Sequence, residues 1–131
     1  INLHDCPNIV VFETHESWNK LQMIESLNNK LNGLITYASW TSFYRLNVKN
    51  SGLRNIIYHR EWNQHVFINY LANFNDIVNQ VDIDNILIEA DLAGKTTGFI
   101  YLEGGLNSAP GVLGIAAKNT QLSRGVVVTT N

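Results

Sequence analysis

Two short groups of side chains in this sequence could bind a metal ion or act as a nucleophile. They are His4, Asp5 and Cys6 near the amino end, and His59, Glu61 and His65 in the middle of the chain. Imidazole, thiolate and carboxylate groups are the usual ligands of zinc, and a cysteine thiolate is a strong nucleophile. The first group has no second cluster at ligand spacing. In the second group, His65 is better explained as a neutral, hydrogen-bonded histidine at a partly buried position in a crowded turn. We therefore predict no catalytic residue, no metal site and no cofactor.

The short motifs of common enzyme classes are missing from the sequence. It contains no nucleophile elbow, phosphate-binding loop, dinucleotide-binding glycine motif or zinc-protease helix. Gly104 and Gly105 lack a third glycine and a following lysine, so they indicate a turn. A formal charge of −2 gives no electrostatic case for nucleic acid. The apolar runs are far too short for a membrane span. We predict a non-enzymatic protein that has no nucleic-acid partner and no membrane span.

The composition is that of one folded domain. The chain has 131 residues, of which 45% are hydrophobic and 15% are charged. This apolar content suits a single modest core and excludes general disorder. Cys6 is the single cysteine, so an internal disulfide is impossible.

Three tryptophans organise the chain, because Trp18, Trp40 and Trp62 are 22 residues apart. Other residue types recur at the same interval in the order apolar-x-x-L-x-x-L-x-L-x-x-N-x-L, which is the leucine-rich-repeat pattern. The recurring positions are Ile24, Leu46 and Ile68; Ser26, Val48 and Tyr70; Asn29, Ser51 and Asn73; and Leu34, Ile56 and Val78. We expect each tryptophan to be buried. The third copy departs from the pattern at Phe74 and Asn75.

Each copy should contain a short strand followed by a turn. Apolar residues that alternate with other residues bury one face of a strand. The asparagine that follows can pair with backbone groups of the turn that would otherwise be buried without partners. No copy can cover its own apolar face, so the copies are expected to stack. For the first copy alone, the spacing that begins at Trp18 also fits an amphipathic helix.

The remaining elements differ from this pattern. Before the copies, residues 9–12 predict an edge strand that caps the first one. After residue 81, apolar residues recur at helical spacing and predict a helix over 84–93, with Asp82 or Asp84 as its amino-terminal cap and Gly94 as its end. The apolar positions predicted for this first helix are Ile83, Ile86, Leu87 and Ala90. A strand over 98–103 and a helix over 110–124 follow, and a last strand begins at Gly125. The apolar positions predicted for the second helix are Val112, Ile115, Ala116 and Leu122. The parallel strands are predicted near 22–26, 44–48, 66–70, 99–103 and 126–129.

The carboxyl-terminal 50 or so residues contain a series of short motifs. They are IDNIL at 83–87, ADLAG at 90–94, IYLEGG at 100–105, NSAP at 107–110, AAK at 116–118 and RGVVVTTN at 124–131. In this order they resemble the carboxyl-terminal cap of bacterial-type leucine-rich-repeat proteins, although Val126 stands where that family often has tryptophan. The resemblance implies a bacterial surface, secreted or phage-associated protein rather than a cytoplasmic one, and it implies no catalytic residues. It also makes Asn131 the expected end of the protein.

The predicted fold class is α/β, specifically a short right-handed leucine-rich-repeat solenoid. Parallel strands would line its concave face, and helices and loops its convex face. We predict one domain over 1–131, in which 1–17 form an amino-terminal cap, 18–80 three 22-residue repeats, and 81–131 a helical repeat with the carboxyl-terminal cap.

The predicted function is recognition of another protein through the concave face. The outward-pointing strand residues predicted to contact the partner are Met23, Glu25, Arg45, Asn47, Lys49, Phe67, Asn69, Phe99, Tyr101 and Glu103. Leu27 and Leu71 occupy similar positions but could pack against turns. Exposed aromatic residues are typical of interface centres. The alternative is a structural subunit of a virion or bacterial surface assembly, whose partner is its own assembly.

Overall fold

The computed structural model describes residues 1–3, 11–31, 33–62 and 67–131, with Val11, Phe67 and Ile68 described in their backbone alone. This part of the chain is α/β. Its elements are β1 Val11–Phe12, β2 Met23–Glu25, β3 Gly33–Leu34, β4 Arg45–Asn47, β5 Phe67–Leu71, α1 Gln80–Leu92, β6 Thr97–Tyr101, α2 Val112–Ser123 and β7 Val126–Thr129. The predictions for His4, Asp5, Cys6, Ile9 and His65 fall outside the described residues.

Five strands form one parallel sheet in the order β2-β4-β5-β6-β7. These are the five predicted strands, although β6 begins earlier than predicted, at Thr97. Because β2 is a strand, the alternative of a helix over the first copy is wrong. Residues 1–3 extend the sheet beside β2, where Leu3 N donates to Glu25 O at 2.8 Å and Glu25 N donates to Ile1 O at 2.9 Å.

The predicted amino-terminal edge strand lies in a second, smaller sheet. β1 pairs in parallel with β3 through Val11–Gly33 and Phe12–Leu34. The prediction of an edge strand is confirmed for Val11 and Phe12, and its partner β3 belongs to the first copy. The edge of the main sheet beside β2 is occupied by residues 1–3, whose backbone groups pair with β2.

The pairing of β4 with β5 shifts the third copy by two residues. Leu46 lies opposite Tyr70, not opposite Ile68. The turn at the start of each copy is unchanged, since Trp62 N bonds His59 O as Trp40 N bonds Tyr37 O. Two additional residues therefore separate the tryptophan from the inward strand position. Ile24, Leu46, Tyr70, Ile100 and Val128 form the buried row that results.

The same shift decides which asparagine supports the turn. Asn75 is fully buried. Its Oδ1 accepts from Ser51 N at 3.0 Å and from Leu53 N at 3.1 Å, and its Nδ2 donates to Val48 O at 2.8 Å. Asn107 repeats the arrangement in the next turn. The predicted role of Asn73 is therefore wrong, because that role belongs to Asn75.

The two-residue shift also changes which apolar residues of the third copy are buried. Ile77 is fully buried in the position that Leu31 and Leu53 hold in the earlier copies. Val78, which the 22-residue interval predicts to be apolar and equivalent to Leu34, is 67% exposed. The prediction for Val78 is wrong because the two additional residues move it off the buried side.

The prediction that all three tryptophans are buried holds for two of them. Trp40 is fully buried and Trp62 is 3% exposed, whereas Trp18 is 36% exposed. Trp40 packs among the rings of Tyr37, Phe43 and Trp62. Among the described residues, Phe12 provides the one aromatic ring that contacts Trp18, at 6.4 Å between centroids. Among the described residues, no ring other than that of Phe12 packs on Trp18, whereas three rings surround Trp40.

Helix α1 begins four residues before the prediction. Its cap is Asn79, whose side chain accepts from Val81 N at 3.1 Å, so the predicted caps Asp82 and Asp84 are wrong. An asparagine side chain can satisfy a free amide of the first turn in this way. Asp84 instead accepts from Gly111 N at 2.8 Å and joins the two helices. The predicted buried positions of α1 are confirmed; they are Ile83, Ile86, Leu87 and Ala90.

Helix α2 buries a different face from the predicted one. Its buried residues are Gly114, Ala117 and Gln121. The predicted core residues of this helix are exposed; they are Val112, Ile115, Ala116 and Leu122. Close helix packing explains the reversal, because a Cβ at Gly114 would collide with Asp84 Oδ1. Small residues, Gly114 and Ala117, therefore occupy the buried side near this contact. In the part of the chain that the structure describes, neither helix has the length and apolar character needed to cross a membrane.

Candidate functional site

The outward side of the main sheet carries two continuous rows of side chains, which we call the strand face. Strand pairing defines the first row as Met23, Arg45, Asn69, Phe99 and Val127, and the second as Glu25, Asn47, Leu71, Tyr101 and Thr129. Successive side chains alternate across a strand, so both rows point away from the buried row. The paired backbones hold these ten side chains in fixed order.

A third row follows where the pairing continues beyond the strand ends. Asn28 N donates to Lys49 O at 3.3 Å, Asn50 N to Asn73 O at 3.0 Å, and Phe74 N to Glu103 O at 2.9 Å. Lys49, Asn73 and Glu103 therefore lie side by side. Nine of the ten predicted contact residues thus fall in three adjacent rows. Asn73 joins them, and sequence reasoning missed it because the 22-residue interval assigned it to the turn.

Phe67 is the one predicted contact residue outside these rows. Its backbone pairs with Thr97, beyond the row of Arg45 and Asn69. The expectation that it lies in one row with Met23 and Arg45 is wrong, because the third copy is shifted by two residues. Its side chain lies outside the described residues. The described aromatic pair is Phe99 with Tyr101 on β6, with ring centroids 5.7 Å apart.

The charged residues of the strand face have partners within it. Arg45 forms an ion pair with Glu25 at 2.7 Å across β2 and β4. Lys49 Nζ lies 5.4 Å from the centroid of the Phe74 ring, a cation–π distance. Glu103 accepts a hydrogen bond from the Thr129 hydroxyl. The charges are thus largely balanced locally, and the middle of the face is polar but neutral.

Four polar atoms in this middle region are buried without a hydrogen-bond partner among the described residues. They are Arg45 Nε, Asn47 Oδ1, Asn69 Oδ1 and Asn73 Oδ1, all on or beside β4 and β5. Asn47 is 9% exposed and Asn73 is 6% exposed. An unpaired buried polar atom costs about 1–3 kcal/mol, so such groups are normally satisfied. The middle of the strand face is therefore polar and incompletely hydrogen-bonded among the described residues.

A depression with a volume of about 660 Å³ lies between residues 55–61 and α1. Arg60 Nε donates to Glu89 Oε2 at 2.6 Å across it. His59 Nε2 lies 3.1 Å from Thr36 O and 3.2 Å from Thr36 Oγ1. Burial lowers the pKa of His59 from its usual value, and the hydrogen bond to Thr36 O opposes this effect. The histidine predicted to be neutral and hydrogen-bonded is His65, which lies outside the described residues.

Within residues 1–3, 11–31, 33–62 and 67–131, no three His, Cys, Asp or Glu side chains are grouped closely enough to hold a metal ion. The strand face therefore remains the better candidate site, since it combines ordered side chains, an aromatic pair and unsatisfied polar atoms.

Comparison of the chain with known protein families, curated proteins and solved structures found no match.

Proposed function

We propose that this chain is a non-enzymatic leucine-rich-repeat module that recognises another protein through its strand face. In this proposal the fold is a short right-handed solenoid with the strand face on its concave side. The 22-residue spacing of Trp18, Trp40 and Trp62 supports it. So do the five parallel strands in chain order and the buried asparagines Asn75 and Asn107 in successive turns. The resemblance of the carboxyl-terminal motifs to a bacterial-type cap favours a surface or virion location.

The observation that carries the proposed function is the cluster of unsatisfied polar atoms beside an exposed aromatic pair. Asn47, Asn69 and Asn73 each present an amide oxygen without a partner among the described residues. Next to them on β6, Phe99 is 40% exposed and contacts the Tyr101 ring. A protein partner would bury the rings, and it would donate hydrogen bonds to the amides only after these side chains turn outward, because their oxygens are buried in this arrangement. Large aromatic residues at the centre of an interface commonly dominate its binding free energy.

The balanced charges of the strand face have a separate role in this proposal. Arg45 and Glu25 form an ion pair, and Lys49 is exposed at the rim. Rim charges change the association rate and orientation of a complex more than its affinity. Phe67 is retained as a proposed contact at the neighbouring position on β5.

The test is capture of a partner with the immobilised chain, followed by titration of the purified partner. Replacing Phe99→Ser with Tyr101→Ser should weaken binding by about 4 kcal/mol, from about 2 kcal/mol for each hot-spot aromatic. The matched control is Val81→Ser with Leu92→Ser, two apolar residues that are 59% and 56% exposed on α1. Circular dichroism must show that both variants remain folded. A partner that loses affinity only for the α1 variant would refute recognition through the strand face.

A structural subunit is the second candidate function. The observation that favours it is the exposed apolar side of α2, on which Val112 is 84% exposed. The proposed solenoid would in that case act through contacts between copies, as the partner of its own assembly.

A further inference from the structure

The outward side of helix α2 is apolar and carries no free charge. Val112, Ile115 and Leu122 are 84%, 46% and 44% exposed. Their spacing places them on one side of the helix, with Asn119 between them. Lys118 is the single charged residue of the twelve in α2, and its Nζ bonds Thr130 Oγ1 at 2.8 Å. Exposed apolar surfaces of this kind mark interaction sites in soluble proteins.

The opposite side of α2 is fixed, so the helix cannot rotate to bury these residues. Gln121 Nε2 donates to Leu87 O of α1 at 2.9 Å. Arg124, directly after the helix, forms an ion pair with Asp91 at 2.6 Å. Gly114 touches Asp84 so closely that a Cβ would not fit. These three contacts at the beginning, middle and end of α2 hold its apolar side away from α1.

Strand β7 has an open edge at the same end of the molecule. It is the last strand of the described sheet, and pairs on one side with β6. Thr129 O accepts from Leu102 N at 2.9 Å, so the backbone groups of Val127 and Thr129 face β6. Alternate residues of a parallel strand direct their backbone groups to opposite sides. Val126 and Val128 therefore direct theirs to the open edge.

The two edges of the sheet differ in chemistry. Residues 1–3 cover the edge beside β2, where Leu3 and Ile1 pair with Glu25. The edge at β7 reads Val126-Val127-Val128-Thr129, with no charge and no proline. Such an edge is a template for pairing with another strand, because nothing in it opposes pairing.

We propose that a second copy of this chain covers this end, with β7 pairing to β7 and α2 packing on α2 around a twofold axis. Identical strands paired antiparallel are self-complementary, so each edge supplies the groups that the other lacks. The helix surfaces also fit each other, because Val112, Ile115 and Leu122 are uncharged and the one charged residue of α2, Lys118, is bonded to Thr130 of its own copy. A partner of different sequence would not bring the same strand edge and the same helix surface to the contact. The contact is separate from the strand face and goes beyond the proposed function.

The twofold axis fixes which residues meet. The two α2 helices run antiparallel, so Val112 of one copy lies near Leu122 of its partner. If Val112 and Leu122 were both replaced by glutamate, like charges would face each other at each of the two symmetry-related contacts. One lysine and one glutamate would place opposite charges there.

The first measurement is sedimentation equilibrium of the full chain over a range of concentrations. We expect the wild type to form dimers, and Val112→Glu with Leu122→Glu to raise the dissociation constant by at least about 100-fold. Val112→Lys with Leu122→Glu should restore dimers in low salt. The control is Leu113→Glu with Val81→Glu, which adds the same charge at residues 68% and 59% exposed that lie off this surface. It should leave the dimer intact.

The second measurement is amide hydrogen exchange. The Val126 and Val128 amides should be protected in the dimer and exchange quickly in the Val112→Glu/Leu122→Glu variant, while the Val127 amide stays protected in both. A wild type that remains monomeric, a dimer that tolerates both glutamates, or a dimer whose Val126 and Val128 amides exchange quickly would overturn the proposal. None of these results bears on binding through the strand face.

Discussion

The indole rings of Trp40 and Trp62 stack with their centroids 6.3 Å apart and their planes 12° from parallel. Each Nε1 donates to a backbone carbonyl 25 residues earlier, Trp40 to His15 O at 3.0 Å and Trp62 to Tyr37 O at 2.8 Å. A buried indole N–H needs such a partner. Each acceptor lies three residues before the preceding tryptophan, so packing and hydrogen bonding tie the starts of successive copies together.

Replacing Trp40→Ala should lower the free energy of unfolding by about 3–5 kcal/mol, the usual cost of removing a large buried aromatic. Trp18→Ala is the matched control, and because Trp18 is 36% exposed, its loss should be clearly smaller. Urea unfolding followed by circular dichroism measures both. A Trp40→Ala loss below about 1 kcal/mol would contradict the packing described here.

Asn75→Ala should destabilise the fold by about 3–4 kcal/mol, because it leaves buried backbone groups unpaired. The groups affected include Ser51 N, Leu53 N and Val48 O. Asn73→Ala should cost less than about 1 kcal/mol, since its Oδ1 has no partner among the described residues. Equal losses in urea unfolding would mean that the third copy is not shifted by two residues.

Gly105→Ala should be more destabilising than Gly94→Ala, although both glycines have positive φ, +63° and +66°. A left-handed conformation costs alanine about 1–2 kcal/mol at either position. At Gly105 the added Cβ would also lie 2.5 Å from Asn75 O, whereas at Gly94 nothing lies within 4 Å. Thermal unfolding of the two variants provides the comparison, and a lower midpoint for Gly94→Ala would be the contrary result.

The stability of the protein should depend on the charge of His59. Burial lowers its pKa below the usual 6.5, so the unfolded chain binds a proton more readily than the folded one. Stability from this residue is therefore full above pH 6.5 and decreases as the pH falls toward the lowered pKa. We expect urea midpoints of the wild type to fall more between pH 7.5 and pH 5.5 than those of His59→Gln. Parallel pH profiles for the two proteins would show that His59 makes no such contribution.

The strands and helices were largely predictable because their signals are local. Alternating apolar residues mark β2 and β4, and apolar residues at helical spacing mark the buried side of α1. The first residue of α1 was harder to predict, since Asn79, Asp82 and Asp84 are all good caps. The hydrogen bond of Asp84 to Gly111 N decides among them, and its partner is 27 residues away.

The register of the third copy was mispredicted because an equal interval between tryptophans hides an additional pair of residues. Asn28, Asn50 and Phe74 have φ of 55°, 53° and 57°, and each precedes the residue that supports the turn. Asparagine commonly adopts this conformation, whereas phenylalanine rarely does. Phe74 therefore gave no sequence signal for the left-handed position of this turn. The 22-residue interval assigned the turn-supporting role to Asn73 instead of Asn75.

The sequence by itself determined the parallel strands, the two helices and nine of the ten outward residues that form three rows, because a period of two fixes which side of a strand each residue takes. The tertiary structure decided which neighbour each residue meets and which side of α2 is buried. Val112, Ile115 and Leu122 look like core residues by hydrophobicity. A Cβ at position 114 would collide with the Asp84 carboxylate, so the glycine fits the side that faces α1 and the apolar side faces outward. That outcome depends on the distance between two helices, and a local pattern does not contain this distance.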